Sequence, residues 1–216
     1  MEVELRDVGY TYDGVNYVFK ELTLRFSNGF HLIVGPNGSG KTTLLKITSL
    51  IYRPSRGKVL VENRSFWDLN NDEMTSIRRC FTYVHEKALL IRGNVKVNLE
   101  LGLKLRNIND YNRLKYYIDR YGMVDILMKD AKKLSAGQAK IVSLTRALAV
   151  KPKVLLLDEP LTHIDYERSI LIIEDLVKLV KEGSTVIVAT HYLIPELKDY
   201  IDTTYEIING VIRVKP

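Results

Sequence analysis

Gly35-Pro36-Asn37-Gly38-Ser39-Gly40-Lys41-Thr42 fits the pattern G-x-x-x-x-G-K-[ST] at every fixed position and follows the apolar run Phe30-His31-Leu32-Ile33-Val34. Beyond it, Leu44, Ile47, Thr48 and Ile51 recur at helical spacing, so the local order is strand, glycine-rich turn, helix. The glycines let the backbone curl so that successive N–H groups face phosphate oxygens, and the helix N-terminus adds partial positive charge. Lys41 is expected to reach the β- and γ-phosphates and the Thr42 hydroxyl to bind Mg²⁺. With Gly at about 7% of residues, a chance match in a chain of this size has a probability on the order of one per cent. A merely flexible turn is therefore a poor account of the stretch.

Working outward, Val154-Leu155-Leu156-Leu157-Asp158-Glu159-Pro160 puts two carboxylates at the end of an apolar strand, where open α/β sheets place their ligands. Asp158 suits a Mg²⁺ shell and Glu159 suits a base that takes a proton from attacking water. Helical spacing runs from about Ala136 to Val150 and from about Tyr166 to Lys181, and Thr185–Ala189 reads as a further strand. Apolar strands joined by helical crossovers imply a mostly parallel sheet covered by helices on both faces. Ahead of the loop, residues 3–26 alternate apolar and polar between Asp13-Gly14 and Asn28-Gly29, which predicts antiparallel hairpin strands. Lys58–Glu62 and Phe81–Val84 read as strands, the latter led by a short helix from Thr75, and residues 204–214 read as a hairpin turning at Asn209-Gly210. Residues 87–134 are polar and helix-like, and predict an inserted helical lobe.

The 216 residues fit one domain, and no further domain is expected beyond them. At 46% hydrophobic and 27% charged, the chain carries enough apolar material for a large core. Its longest apolar runs fall far short of the roughly 18–20 residues that cross a bilayer. The acidic start, Met1-Glu2-Val3-Glu4, does not read as an export signal. Cys80, the single cysteine, forms no internal disulfide and reads as a small buried hydrophobe. The net charge of +6 is scattered along the chain, which gives no sign of nucleic-acid binding.

Leu134-Ser135-Ala136-Gly137-Gln138, ending 20 residues before Asp158, makes the reading specific. Here the sequence resembles the ATP-binding cassette (ABC) ATPases, whose signature is L-S-G-G-Q, and the resemblance covers essentially the whole chain. It implies an ATP- and Mg²⁺-dependent hydrolase whose sites are completed head to tail by a second cassette, identical or related. On that resemblance Asn37, Gly38, Ser39, Gly40, Lys41, Thr42 and Thr43 wrap the phosphates, and Ser135, Gly137 and Gln138 act on the ATP of the other subunit. His191, after Thr190, corresponds to a switch histidine at the γ-phosphate, and Asp165 belongs to a dimer-contact loop. That loop carries His163 where a small residue is common, and Ala136 replaces the usual Gly, as a residue with φ below zero permits. Tyr12 stands in the place of the aromatic that stacks on adenine, with a core role and Tyr10 as rivals among 13 tyrosines.

The largest departure is Glu86, in Tyr83-Val84-His85-Glu86, where the resembled family usually has a glutamine at the metal and the attacking water. Gln138 is the only glutamine in the chain, so no shift of alignment supplies another. Glu86 either ligates Mg²⁺ or repels the γ-phosphate, and a cation elsewhere in the fold would hold its charge off. Scarce glutamine with abundant Lys and Glu points to a heat-adapted source. The resemblance implies the cytoplasmic ATPase subunit of a transporter, peripheral on the membrane and bound to a separate membrane-spanning protein. The alternatives are a soluble ABC ATPase in nucleic-acid, ribosome or iron–sulfur assembly work, and a nucleotide-gated module with little turnover.

Overall fold

Two sheets divide the strands according to what each side must bury. The computed structural model describes residues 1–208 and 210–215, so Asn209 of the expected terminal turn lies outside the described residues. Strands β1 (Val3–Thr11), β2 (Tyr17–Phe26), β4 (Arg56–Val61) and β5 (Arg64–Ser65) form an antiparallel sheet in the order β2-β1-β4-β5. The second sheet has the order β10-β9-β3-β8-β7-β6, from β3 (Gly29–Val34), β6 (Phe81–Val84), β7 (Val154–Asp158), β8 (Thr185–Thr190), β9 (Thr203–Ile208) and β10 (Val211–Lys215). All its neighbours are parallel except β9 and β10. Helices α1 (Lys41–Thr48), α2 (Asn71–Arg78), α3 (Val95–Arg106), α4 (Asn112–Arg120), α5 (Ala136–Ala149) and α6 (Tyr166–Lys181) complete the chain.

The central strands are apolar throughout because alternate residues enter two different cores. Phe30, Leu32, Leu155, Leu157, Val186 and Val188 pack with residues of α3, α4, α5 and α6. Ile33, Val154, Leu156, Ile187 and Ala189 pack instead with α1 and the antiparallel sheet. Pairing sets Val34 beside Thr190 and Asp158 beside Ala189, so the strand ends that carry Gly35, Asp158 and His191 lie side by side. That register positions the site.

Between β6 and α5 the chain is helical in pieces. α3 ends at Asn107, which takes a left-handed φ of 54°, and α4 starts at Asn112. Buried Asn98 donates to the carbonyls of Ile91 and Asn94 and accepts from Ile91 N–H, which fixes the chain entering this segment. Arg120 and the Tyr121 hydroxyl converge on Asp175 of α6, at 2.8 and 2.7 Å. Three local readings are corrected. α2 starts at Asn71 because Asn70 and Glu73 form a capping box there, and β4 spans 56–61 because Glu62 turns away with φ 49°. Cys80 is only half-buried, at the turn between α2 and β6.

Candidate functional site

Gly40 caps α1 with φ 104°, a conformation open to glycine, and supplies no side-chain cap. The first N–H groups of α1 are therefore left for a ligand. They open onto a cavity of about 490 Å³ lined by Tyr12, Asn37, Gly38, Gly40, Lys41, Thr42, Thr43, Glu86, Asp158, Glu159 and His191. Ser39 is the residue of the loop that turns inward: its hydroxyl is buried without a protein partner. Lys41 folds back on its own loop and donates to the carbonyls of Gly35 and Pro36 at 2.7 and 3.1 Å. A triphosphate offers that ammonium a stronger acceptor than either carbonyl.

Asp158 Oδ2 accepts from the Thr42 hydroxyl at 2.7 Å and from the Tyr83 hydroxyl at 3.1 Å. Thr42 and Asp158 are hard oxygen donors held together at the cavity, one hydroxyl and one carboxylate. Such a sparse set fits Mg²⁺, which keeps waters and substrate phosphates in its octahedral shell. Glu159 leaves the end of β7 with φ 45°, a left-handed backbone rare for this residue type, with its N–H bonded to the Ala189 carbonyl. Its Oε1 meets His191 Nδ1 at 3.0 Å. A carboxylate only accepts, so Nδ1 carries the proton and Nε2 is the ring nitrogen left for a ligand.

Tyr12 is 62% exposed, which excludes a core role, whereas Tyr10 stacks on Tyr52 with ring centroids 5.4 Å apart. The Tyr12 hydroxyl pairs with Thr43 Oγ1 at 2.8 Å, anchoring the ring beside the cavity.

The signature residues lie elsewhere. Ser135, Gly137, Gln138 and Asp165 line a separate cavity of about 340 Å³. Ser135 is the N-cap of α5 and shares a capping box with Gln138. Ala136 is the first residue of that helix, where a methyl causes no strain. Gly137 is pressed against the loop that carries His163: a Cβ there would stand 2.4 Å from the His163 carbonyl. His163 has φ 66°, so a β-branched residue would be strained at this place. The Asp165 carboxylate is committed to capping α6 through Arg168 N–H and Arg168 Nη1, both at 2.9 Å, and these bonds hold its pKa below the usual carboxylate range.

Two residues behind the wall of the phosphate cavity carry no motif in the sequence. Tyr83 reads in the sequence only as a strand residue; burial, then the Asp158 charge, raises its phenol pKa. Lys140 is 2% exposed, and its ammonium donates to the carbonyls of Glu86, His85 and Asp158 at 2.7, 3.2 and 3.2 Å. Burial brings its pKa down to about 8 against the opposing pull of Asp158, Glu86 and Glu159. A signal was present: position 140 falls on the same helical stripe as Leu144, Ala147 and Leu148, where a lysine is out of place.

Residues 19–162 match the ABC transporter family. A putative ABC transporter ATP-binding protein of Pyrococcus horikoshii is 32% identical over 88% of this chain and 74% of its own length. The ATP-binding protein MJ0796 of Methanocaldococcus jannaschii is 34% identical over 88% of this chain and 86% of its own. A dimeric structure of MJ0796 in a post-hydrolysis state, bound to ADP and Pi, superposes with a TM-score of 0.87 over 99% of this chain and 97% of that one, at 28% identity. The cbiO1 protein of Clostridium perfringens, part of the transporter complex cbiONQ, gives a TM-score of 0.78 over 98% and 86% at 26% identity. With the phosphate loop, the paired acids and the signature turn disposed as described, this chain belongs to the ABC transporter family and is one of its ATP-hydrolysing, nucleotide-binding subunits.

Proposed function

We propose that ATP lies along the phosphate loop with its γ-phosphate between Lys41 and His191, and that two copies close head to tail so that Ser135 and Gly137 of one reach the ATP of the other. The observation that carries this reading is the division of the family's motifs between two cavities of one chain. Neither cavity holds both the phosphate loop and the signature, so a second cassette must unite them. Backbone N–H groups of residues 38–43 and the Lys41 ammonium bind the triphosphate, and Tyr12 stacks on the adenine. Thr42 and Asp158, with Glu86 at the rim, would hold Mg²⁺, which offsets phosphate charge. Glu159 takes the proton of the water that attacks the γ-phosphorus as ADP leaves, and His191 orients Glu159 through Nδ1.

The membrane partner is served by a different surface. Among the described residues no helix is long and apolar enough to cross a membrane; the likeness to cbiO1, part of the transporter complex cbiONQ, supports a membrane-spanning partner beside this chain. A groove of about 310 Å³ between β6, α3 and α5 is lined by Leu89, Ile91, Leu105, Arg106 and Arg146, with both leucines exposed. Its mixed apolar and cationic lining suits a short amphipathic helix carrying an acid or a carboxyl end. The loop after Glu86 forms one wall, which links the groove to the γ-phosphate cavity. On this reading the protein works on the cytoplasmic face of the membrane.

The experiment is ATP-driven dimerisation of Glu159→Gln, followed by light scattering. The amide keeps shape but accepts no proton, so ATP is expected to hold two chains together. A monomer at all workable protein concentrations with ATP bound would overturn the head-to-tail reading.

A further inference from the structure

Three residues lining the phosphate cavity are carboxylates, Glu86, Asp158 and Glu159, against one lysine, Lys41. A triphosphate entering such a cavity meets more like charge than opposite charge at the end where its γ-phosphate lies. Behind the wall, Lys140 reaches from the apolar face of α5 and spends all three N–H donors on main-chain carbonyls: two of the loop that carries Glu86 and one at the end of β7. None of these acceptors is a carboxylate, so the positive charge stays unpaired beside three acids. A helix stripe this apolar has no packing need for an ammonium.

We infer that Lys140 is a positioning residue with a second, electrostatic role: it clamps the Glu86 loop to the end of β7 and supplies the positive charge that lets Glu86 stand at the γ-phosphate. The clamp also ties the nucleotide cavity to α5, the helix that begins at the signature turn. Through one side chain, the loop between β6 and the docking groove, the strand carrying Asp158 and the helix offered to the second subunit share a fixed point.

The inference rests on the cavity being the phosphate site, which Lys41→Ala tests separately: retained ATP affinity in that variant would defeat the site assignment itself. The role of Lys140 is read by a double-mutant cycle on the whole protein, with Lys140→Met, Glu86→Gln and the pair together. Calorimetry gives affinity for ATP with Mg²⁺ and in EDTA, and thermal unfolding reports on the fold. Lys140→Met should weaken ATP binding by about 10-fold or more where Glu86 is present, and by less than about 3-fold once Glu86→Gln has removed the charge it offsets. Equal losses in both backgrounds, or no loss in either, would overturn the electrostatic role even if stability falls. Should Lys140→Met not fold, the same cycle is run with Lys140→Gln, which keeps N–H donors for the carbonyls and removes the charge. Failure of both to fold would assign Lys140 to the architecture alone and overturn the inference.

Discussion

In the cavity beside the phosphate loop several charged and hydroxyl groups are tied to one another or to main-chain carbonyls: Lys41 to Gly35 and Pro36, Thr42 to Asp158, Glu159 to His191. In the cavity beside the signature turn the polar groups complete helix ends instead, Ser135 and Gln138 at α5 and Asp165 at α6. On the proposed reading the first is an electrostatic site whose groups exchange protein acceptors for phosphate, and the second is a shaped surface that presents backbone and one hydroxyl to a ligand held by another chain. Removing charge should therefore damage the first, and adding bulk should damage the second.

The largest expected effect is on turnover in the first cavity. Glu159→Gln should lower steady-state ATP hydrolysis by about 10³-fold, in the middle of the range for losing a general base. It should leave ATP affinity within about 3-fold, because the amide still bonds to its surroundings. An unchanged rate would move the base elsewhere. Lys41→Ala should weaken ATP binding by about 100-fold in calorimetry, from the loss of charge-assisted hydrogen bonds. Wild-type affinity there would show that this loop does not hold the phosphates.

In the second cavity the comparison is sharpened by variants that leave the first untouched. Ser135→Arg places a bulky cation where the γ-phosphate of the other subunit must approach. In the Glu159→Gln background it should abolish the ATP-dependent dimer while each chain still binds ATP. Gly137→Ala is a smaller insult of another kind, since its methyl would stand 2.4 Å from the His163 carbonyl. The expected cost is about 1–3 kcal/mol of stability from overpacking, read by thermal or denaturant unfolding. A neutral Gly137→Ala would mean that the loop carrying His163 gives way freely and is no rigid part of the dimer surface.

What was legible in the chain follows the range of the forces involved. α6 was legible at about its observed bounds, Tyr166–Lys181, because its apolar stripe is local. The strand, turn and helix around Gly35–Thr42 were legible for the same reason. Local periodicity carries no information about strand order, so the placing of β8 between β3 and β7, which brings His191 to Glu159, emerged only with the fold. Tyr83 and Lys140 were missed because their partners lie 75 and 18 residues away, at Asp158. The cation left open beside Glu86 in the sequence reading corresponds to Lys140, whose signal was a misfit on an apolar stripe rather than a motif. Cys80 was misjudged because residue type alone does not say where a helix-to-strand turn meets solvent.

The smallest expected effect tests the rim of the first cavity, where neither charge nor bulk decides. Tyr12 has two separable parts: a ring that is 62% exposed and a hydroxyl that pairs with Thr43 Oγ1 at 2.8 Å. Stacking of a base on an aromatic side chain is worth about 1–3 kcal/mol, and an exposed ring open to water belongs at the lower end. Tyr12→Ala should therefore weaken ATP binding by about 5- to 20-fold. Tyr12→Phe keeps the ring and loses only a hydrogen bond that water can replace, so its affinity should stay within about 2-fold of wild type. The edge contact with Tyr10, ring centroids 5.1 Å apart, still holds the phenylalanine ring at the cavity mouth. Equal losses in the two variants would show that Tyr12 acts through Thr43 at the start of α1 and not through its ring, which would return the adenine to another partner. Loss in Tyr12→Ala alone would complete the first cavity as the ATP site of a single chain and leave the second to the γ-phosphate of its neighbour.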